Sequence, residues 1–407
     1  MRWWRRWLGG SSGLGTRIGE VDRVLAAAIV ALIGFGIVMV YSASAIEATV
    51  RFKDPEFFLK RQLLFGGVAL LLMWVVSRID YQRLRSLTYP VLGGVTVLMI
   101  MTVLGLGVRR GGAARWLSLG PVMIQPAEMA KLALVLWLAY SLAKKAEKVK
   151  SFTVGFIPHV LMSGVLILLC LKQPDFGSAV VIAFLTFTLL FVAGARVSYL
   201  VGASIALSGI GIQLIMTKSY RLARLEAFLD IAKHRQDIAY QPFQSVMSFG
   251  SGGIAGLGLG RGLQVLYLPE AHNDFIAAII GEELGFLGII GLTSVFLLIV
   301  ARGVRAAFRA QDDYGSYLAF GISAIFGMQA LVNMSVAMAM LPTKGLTLPF
   351  ISYGGSSLLV NAAAAGILLN VSRPRHQENE EPETVPLETD TPEASLAVVT
   401  SAKEGTA

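Results

Sequence analysis

Apolar runs near the roughly 17 to 25 residues that cross a hydrocarbon core, several of them slightly shorter, recur along almost all of this 407-residue chain and leave it few ways to fold. About ten can be counted, at 24–44, 62–76, 90–108, 127–142, 156–171, 177–193, 199–216, 275–300, 317–338 and 356–371. Only 15% of the residues are charged and 55% are hydrophobic, with a mean hydropathy of +0.66. That composition excludes a soluble enzyme with a large core. The expected fold is an all-α membrane protein, a polytopic bundle of about ten transmembrane helices with a large extracytoplasmic loop between the seventh and the eighth.

Topology follows from the basic residues. The N-terminal Met-Arg-Trp-Trp-Arg-Arg-Trp stretch precedes an apolar run too long for a signal-peptide core, and no small-residue cleavage site follows it, so a retained first span is expected. Lysine and arginine then place the N-tail, 78–85, 144–150 and 302–309 in the cytoplasm, every second loop, as ten spans require. Both termini are expected there. The chain divides into a basic cytoplasmic tail (1–22), a membrane domain (23–372) with its long outer loop at 217–274, and a cytoplasmic tail (373–407). This last tail is rich in Glu, Pro and Thr, cannot bury a core and is expected to be disordered. The long outer loop carries Lys218, Arg221, Arg224, Lys233, Arg235 and Arg261 on the side that basic residues avoid, which suggests a task such as binding an anion.

Several functions are disfavoured. The single Cys170 lies in an apolar run, so neither a disulfide framework nor a thiolate metal site is available. The four histidines have no ligand spacing. Basic residues follow topology and form no stripe, so nucleic acid is not expected as a partner; the +9 charge suits an anionic membrane surface.

Ionisable residues against the spans are costly, about 2.5 to 3.5 kcal/mol each at a helix centre, unless paired or hydrated. Asp274 ends the longest polar loop and stands at the mouth of the eighth span. It either caps that helix or meets a lipid-linked substrate whose head group is in water. Glu282 and Glu283 follow eight and nine residues later, a spacing that returns one of them to the Asp274 face of a helix and suggests a polar cavity entering the membrane. Glu128 and Lys131, three apart, share a face as an ion pair that either braces the helix or touches substrate.

Glycine clusters at 250–262. A dinucleotide site is rejected, because no strand–helix unit surrounds the cluster and it falls outside the cytosol. A tight turn remains, either structural or presenting backbone N–H groups to an anion beside Arg261. A second irregular segment, 341–357, joins the last two spans through two prolines and paired glycines. It is expected to dip into the protein where it lines a cavity, with Lys344 over that cavity.

Five blocks in this order, Arg115-Trp116-Leu with Gln125-Pro-Ala-Glu128-Met-Ala-Lys131, Gln173-Pro-Asp175-Phe-Gly177, Tyr240-Gln-Pro-Phe-Gln244-Ser245, Pro269-Glu-Ala-His-Asn-Asp274-Phe, and Leu341-Pro-Thr-Lys344-Gly with Ser352-Tyr-Gly-Gly-Ser-Ser357, resemble the SEDS family of bacterial membrane glycosyltransferases that polymerise peptidoglycan. The resemblance covers about 21–373, and the Thr-Lys-Gly-Leu-Thr-Leu-Pro wording favours its division branch over its elongation branch. Departures are Gly111-Gly112-Ala113-Ala114 where Asn-Gly-Ala is usual before Arg-Trp, Asn273 in place of Thr, and Ala339 near a usual Gly. None removes a charged candidate.

The resemblance implies a chemistry. The substrate is lipid II, a disaccharide-pentapeptide joined through diphosphate to a polyprenyl tail, and Asp274 matches the family's essential carboxylate. As general base it would activate the acceptor GlcNAc 4-hydroxyl against the donor MurNAc anomeric carbon, with inversion and loss of lipid diphosphate. Arg115, Lys131, Lys344, Arg221 and Arg224 are candidates to stabilise that leaving group, with Arg261 beside the glycine turn. A divalent ion, Mg²⁺ or Mn²⁺, is implied and would use substrate oxygens. Trp116 packs a sugar face or anchors at the interface. Gln244, Ser245, Ser356 and Ser357 bond sugar or phosphate, or pin their loops; Asp175 holds the cavity or caps a helix. Implied partners are a single-pass class B penicillin-binding protein, other division proteins and membrane lipids, at the septal inner membrane. A lipid II flippase and a non-catalytic division scaffold are the rival readings.

Overall fold

Each of the ten apolar runs is helical. A computed structural model describes residues 16–110, 113–120, 122–217, 219–342 and 345–377. In chain order these form β1 (Thr16–Ile18), α1 (Arg23–Phe52), α2 (Phe57–Arg78), α3 (Leu84–Met101), β2 (Val108–Arg110), β3 (Ala113–Leu119), β4 (Val122–Ile124), α4 (Pro126–Lys144), α5 (Ile157–Lys172) and α6 (Phe176–Ala193). There follow α7 (Val197–Met216), α8 (Ser219–Leu229), α9 (Tyr240–Gly252), α10 (Ile276–Arg309), α11 (Asp313–Ala337), α12 (Gly355–Val371) and β5 (Arg375–Gln377). Among the described residues eight helical stretches are long and apolar enough to cross a membrane, and shorter apolar helices at 197–213 and 355–371 complete the ten. The chain is a multi-pass membrane protein.

Helix ends are marked by short polar side chains. Asp22 accepts from the N–H groups of Val24 and Leu25 and starts α1. Asp175 accepts from Ser178 N and starts α6, so the capping reading of that residue describes its contacts. α4 is buried nearly all round and packs against α3, α6, α11 and α12. The more peripheral helices α2, α3 and α7 turn residues such as Leu64, Leu71, Val97, Ile205 and Ile212 outward.

Two polar levels frame the bundle. At one end Asp22 pairs with Arg302 at 2.7 Å, and Asp312 accepts from Tyr81, Gln82 and Arg85. Twenty residues further along α1, Ser42 donates to Glu283 at 2.5 Å. At 1.5 Å per residue these levels are about 30 Å apart, the thickness of a hydrocarbon core. β1 pairs with β5, so both ends of the described chain lie at the Asp22 level. Asp274 belongs to the opposite end.

α10 is not one helix. At Gly285 the backbone leaves the helical region (φ 67°, ψ −163°). The glycine-rich segment after α9 enters the gap: Leu257 N donates to Glu282 O (3.0 Å) and Gly258 N to Glu283 O (2.9 Å), while Phe286 N and Leu287 N donate to Gly253 O and Ile254 O. An unbroken helix would have joined 286 to 282 and 287 to 283; two ladder bonds are replaced by four to the loop. Residues 286–309 alone span about 36 Å, enough to cross the core, so the expected span at 275–300 is a short outer helix followed by the crossing one. The anion-binding reading of the glycines is corrected for these N–H groups, because α10 already uses them. Gly256 (φ 79°) lies so close to Glu283 that a Cβ would strike its carbonyl. Gly285→Ala combines a forbidden φ with a clash against Ile254 O and is expected to destabilise by about 3 kcal/mol. A lower thermal midpoint in detergent checks this.

Candidate active site

Beyond the break, the chain from 268 to 275 forms a short turn ahead of α10, and the 345–353 segment folds against it. Three successive carbonyls of this turn are held: Tyr353 N donates to His272 O (2.9 Å), Ser352 Oγ to Asn273 O (2.7 Å), and Asn333 Nδ2 to Asp274 O (2.9 Å). His272 is buried between the rings of Phe58 and Tyr353 and meets Glu47 of α1 at 3.4 Å. The Asp274 backbone is therefore fixed from α11, α12's leading segment and the α1–α2 hairpin. Its carboxyl is half-buried against Gly345, where an added Cβ would lie 2.8 Å from Oδ2.

That setting changes its acidity. Burial pushes the Asp274 carboxyl above the ordinary 3.8; the Glu270 carboxylate adds to the rise, the Arg115 guanidinium opposes it and Asp175 adds again, leaving it at about 6. A carboxylate in this range is ionised at neutral pH and basic enough to accept a proton. Arg115 itself reaches from β3 to donate to the carbonyls of Gln173 (3.2 Å) and Pro174, which ties the β-hairpin to the turn before α6. Gln125 joins Asp175 (3.3 Å) from the start of α4.

A second polar line runs inward from the 345–353 segment. Thr347 Oγ1 meets Ser357 Oγ at 2.8 Å, Ser357 donates to Glu128 at 3.4 Å, and Glu128 pairs with Lys131 Nζ at 2.6 Å. Both members of that pair are almost fully buried. Asn361 donates to Ser357, and the Gln329 amide lines the same narrow pocket with Glu128 and Lys131. Asp274 and the ion pair thus lie on two faces of one segment, Gly345–Thr347.

The family model described as "Cell cycle protein", which covers FtsW, RodA and SpoVE, matches residues 23–377. The chain belongs to the FtsW/RodA/SpoVE family, the SEDS proteins. It is 46% identical to the "Probable peptidoglycan glycosyltransferase FtsW" of Geobacter metallireducens, over 87% of this chain and 95% of that one. It is 45% identical to the protein of the same name from Trichlorobacter lovleyi (88% and 94%), and 39% to stage V sporulation protein E of Bacillus subtilis (86% and 97%). Among solved structures, one chain of a peptidoglycan synthase complex that coordinates polymerization and crosslinking superposes with a TM-score of 0.73 at 30% identity, covering 86% and 97%. The rod shape determining protein RodA of Thermus thermophilus gives 0.64 at 28%, covering 88% and 98%.

Within this SEDS chain the site residues named from sequence sort by contact. Asp274, Arg115, Glu128, Lys131, Ser356 and Ser357 gather around the 345–357 segment, with Ser356 Oγ accepting from Gln125 N at 3.4 Å. Ser245 is buried and donates to Ala337 O, a pin between α9 and α11. The Glu282 carboxylate accepts from Leu263 N (2.8 Å) and Gln264 N and so secures the glycine segment. Arg261 is exposed on that segment, while Gln244 on α9 and Trp116 on β3 are half-buried. Lys344 and the side chains of Arg221 and Arg224 lie outside the described residues. Sequence reasoning overlooked Asn333 and Ser352. The signal was present for the first, a carboxamide in an apolar span.

Proposed function

We propose that this protein is a peptidoglycan glycosyltransferase that polymerises lipid II during division, with Asp274 as general base. The observation that supports it most is the half-buried Asp274 carboxyl, held at one membrane face with its basicity raised and Arg115 near it. An amphiphile with its head group in water and its tail in the bilayer reaches such a place without leaving the membrane. Asp274 accepts the proton of the acceptor GlcNAc 4-hydroxyl; that oxygen bonds to the donor MurNAc anomeric carbon, and the bond to the diphosphate breaks with inversion. The proton passes from Asp274 to water, and undecaprenyl diphosphate leaves with the electron pair.

Arg115, Lys131 and Lys344 are the cations assigned to the diphosphate, where charge grows in the transition state. Among the described residues no three His, Cys, Asp or Glu side chains gather to hold a metal. A Mg²⁺ or Mn²⁺ ion would arrive on the substrate's own oxygens with few protein ligands, and no step is assigned to it. Sidedness follows the basic loops, with both termini cytoplasmic, 217–274 outside and the tail from 373 in the cytoplasm. A crosslinking penicillin-binding protein is the proposed partner at the septum, in line with the likeness of this chain to one chain of a complex that coordinates polymerization and crosslinking.

The test is lipid II polymerisation by the purified protein with its crosslinking partner and Mg²⁺, in parallel with lipid II translocation in sealed vesicles. Glycan strands support the polymerase. Translocation without strands supports the flippase, and neither activity, with the partner still bound, supports the scaffold.

A further inference from the structure

We propose that Asn333 is a positioning residue for Asp274, an amide fork that locks the base and the wall it faces to one core helix. The inference rests on the polymerase reading above and concerns how that base is aimed. Asn333 lies on α11 and is 1% exposed. Its Nδ2 donates to two carbonyls from different loops, Asp274 O at 2.9 Å and Leu346 O at 2.6 Å. Leu346 adjoins Gly345, the residue against the Asp274 carboxyl. One nitrogen therefore sets both the base and the surface opposite it. Ser352 and Tyr353 hold the two preceding carbonyls, but they belong to the 345–353 segment itself. Asn333 thus bonds both segments from one transmembrane helix, while Thr347 additionally joins the second of them to Ser357 of α12.

The same side chain carries a liability. Its Oδ1 is buried with no hydrogen-bond partner in the structure, and an unsatisfied buried amide oxygen is unfavourable. Leucine would occupy the same space in an apolar span without that defect. The two N–H donors are what leucine lacks, and they reach only the Asp274 and Leu346 loops. Their loss leaves α11 packed while the turn at 272–274 and the 345–347 wall move independently. A base displaced by about 1 Å loses roughly a hundredfold in rate, and water admitted beside it lowers its pKa toward the ordinary range.

The experiment is polymerisation by Asn333→Leu with its partner, read as kcat, KM for lipid II and a pH–rate profile. The groups acting on Asp274, namely Glu270 on its own turn, Arg115 on β3 and Asp175 ahead of α6, are unchanged. The expected result is a fall in kcat of about 10- to 100-fold with KM within about threefold, and an acid limb moved from near 6 toward about 4. A smaller active fraction would scale the profile without moving that limb. Wild-type kcat, or a fall with an unmoved limb, overturns the proposal. Should Asn333→Leu not remain monodisperse, the smaller Asn333→Ala decides: it offers no donor to either carbonyl and must lose activity similarly, whereas wild-type turnover overturns the proposal. Asp274→Asn is measured alongside. If it polymerises, the base assignment falls; if it is inactive while Asn333→Leu is normal, only the positioning role falls.

Discussion

Asp274→Asn is expected to lower glycan polymerisation by about 10² to 10⁴-fold, the contribution of a well-placed general base, while the protein gains heat stability. Asparagine keeps the shape and cannot accept the proton of the 4-hydroxyl. Stability moves the other way because of the sign of the pKa shift. The folded-state value of about 6 exceeds the ordinary 3.8, so the fold disfavours the ionised form. Such a penalty is full above the folded value and vanishes below the unfolded one. Two units correspond to at most about 3 kcal/mol, reduced by the water that a half-buried carboxyl retains. The thermal midpoint of the variant should rise by a few degrees at about pH 7.5 and match wild type near pH 4. Loss of both activity and stability would point to misfolding and not to a missing base. The gain expected is the ordinary trade between a strained site and a stable one.

Lys131→Met is expected to be the most damaging single change to the bundle. Lys131 and Glu128 are both almost fully buried and 2.6 Å apart, with Ser357 as the other donor to that carboxylate. Removing the ammonium strands a buried charge, a loss of about 3 to 5 kcal/mol, whereas replacing both partners by uncharged residues is often near neutral. Lys131→Met should therefore lower the thermal midpoint by roughly ten degrees, and Glu128→Gln with Lys131→Met should restore most of it. Polymerisation by the double variant separates the two roles. Recovered stability with recovered rate makes the pair a brace; recovered stability with a rate still down assigns Lys131 to the diphosphate.

The helices were legible in the sequence because an apolar run of spanning length has few alternatives, and the runs at 24–44 and 127–142 fall within α1 and α4. Local spacing was legible too: Glu128 and Lys131 meet as i,i+3 neighbours, and Asp175 caps α6. The joint between the glycine segment and α10 was not legible, because α10 breaks at Gly285 under insertion of a segment some thirty residues earlier in the chain. No local pattern encodes that insertion; the glycines at 252–258 signal close approach but not to what. The long loop likewise hides α8 and α9, whose apolar faces are too short to stand out as spans. Asn333 escaped because a carboxamide costs less in a membrane than a charge and draws less notice, although its two bonds join the segments that compose the site.

The most direct measurement is the pH–rate profile of lipid II polymerisation by the wild-type protein with its partner, from about pH 4.5 to 8, with recovery at neutral pH confirming that the protein survives each point. A base at Asp274 predicts a rate that falls tenfold per pH unit below a midpoint near 6. A full rate maintained at about pH 5 would contradict it.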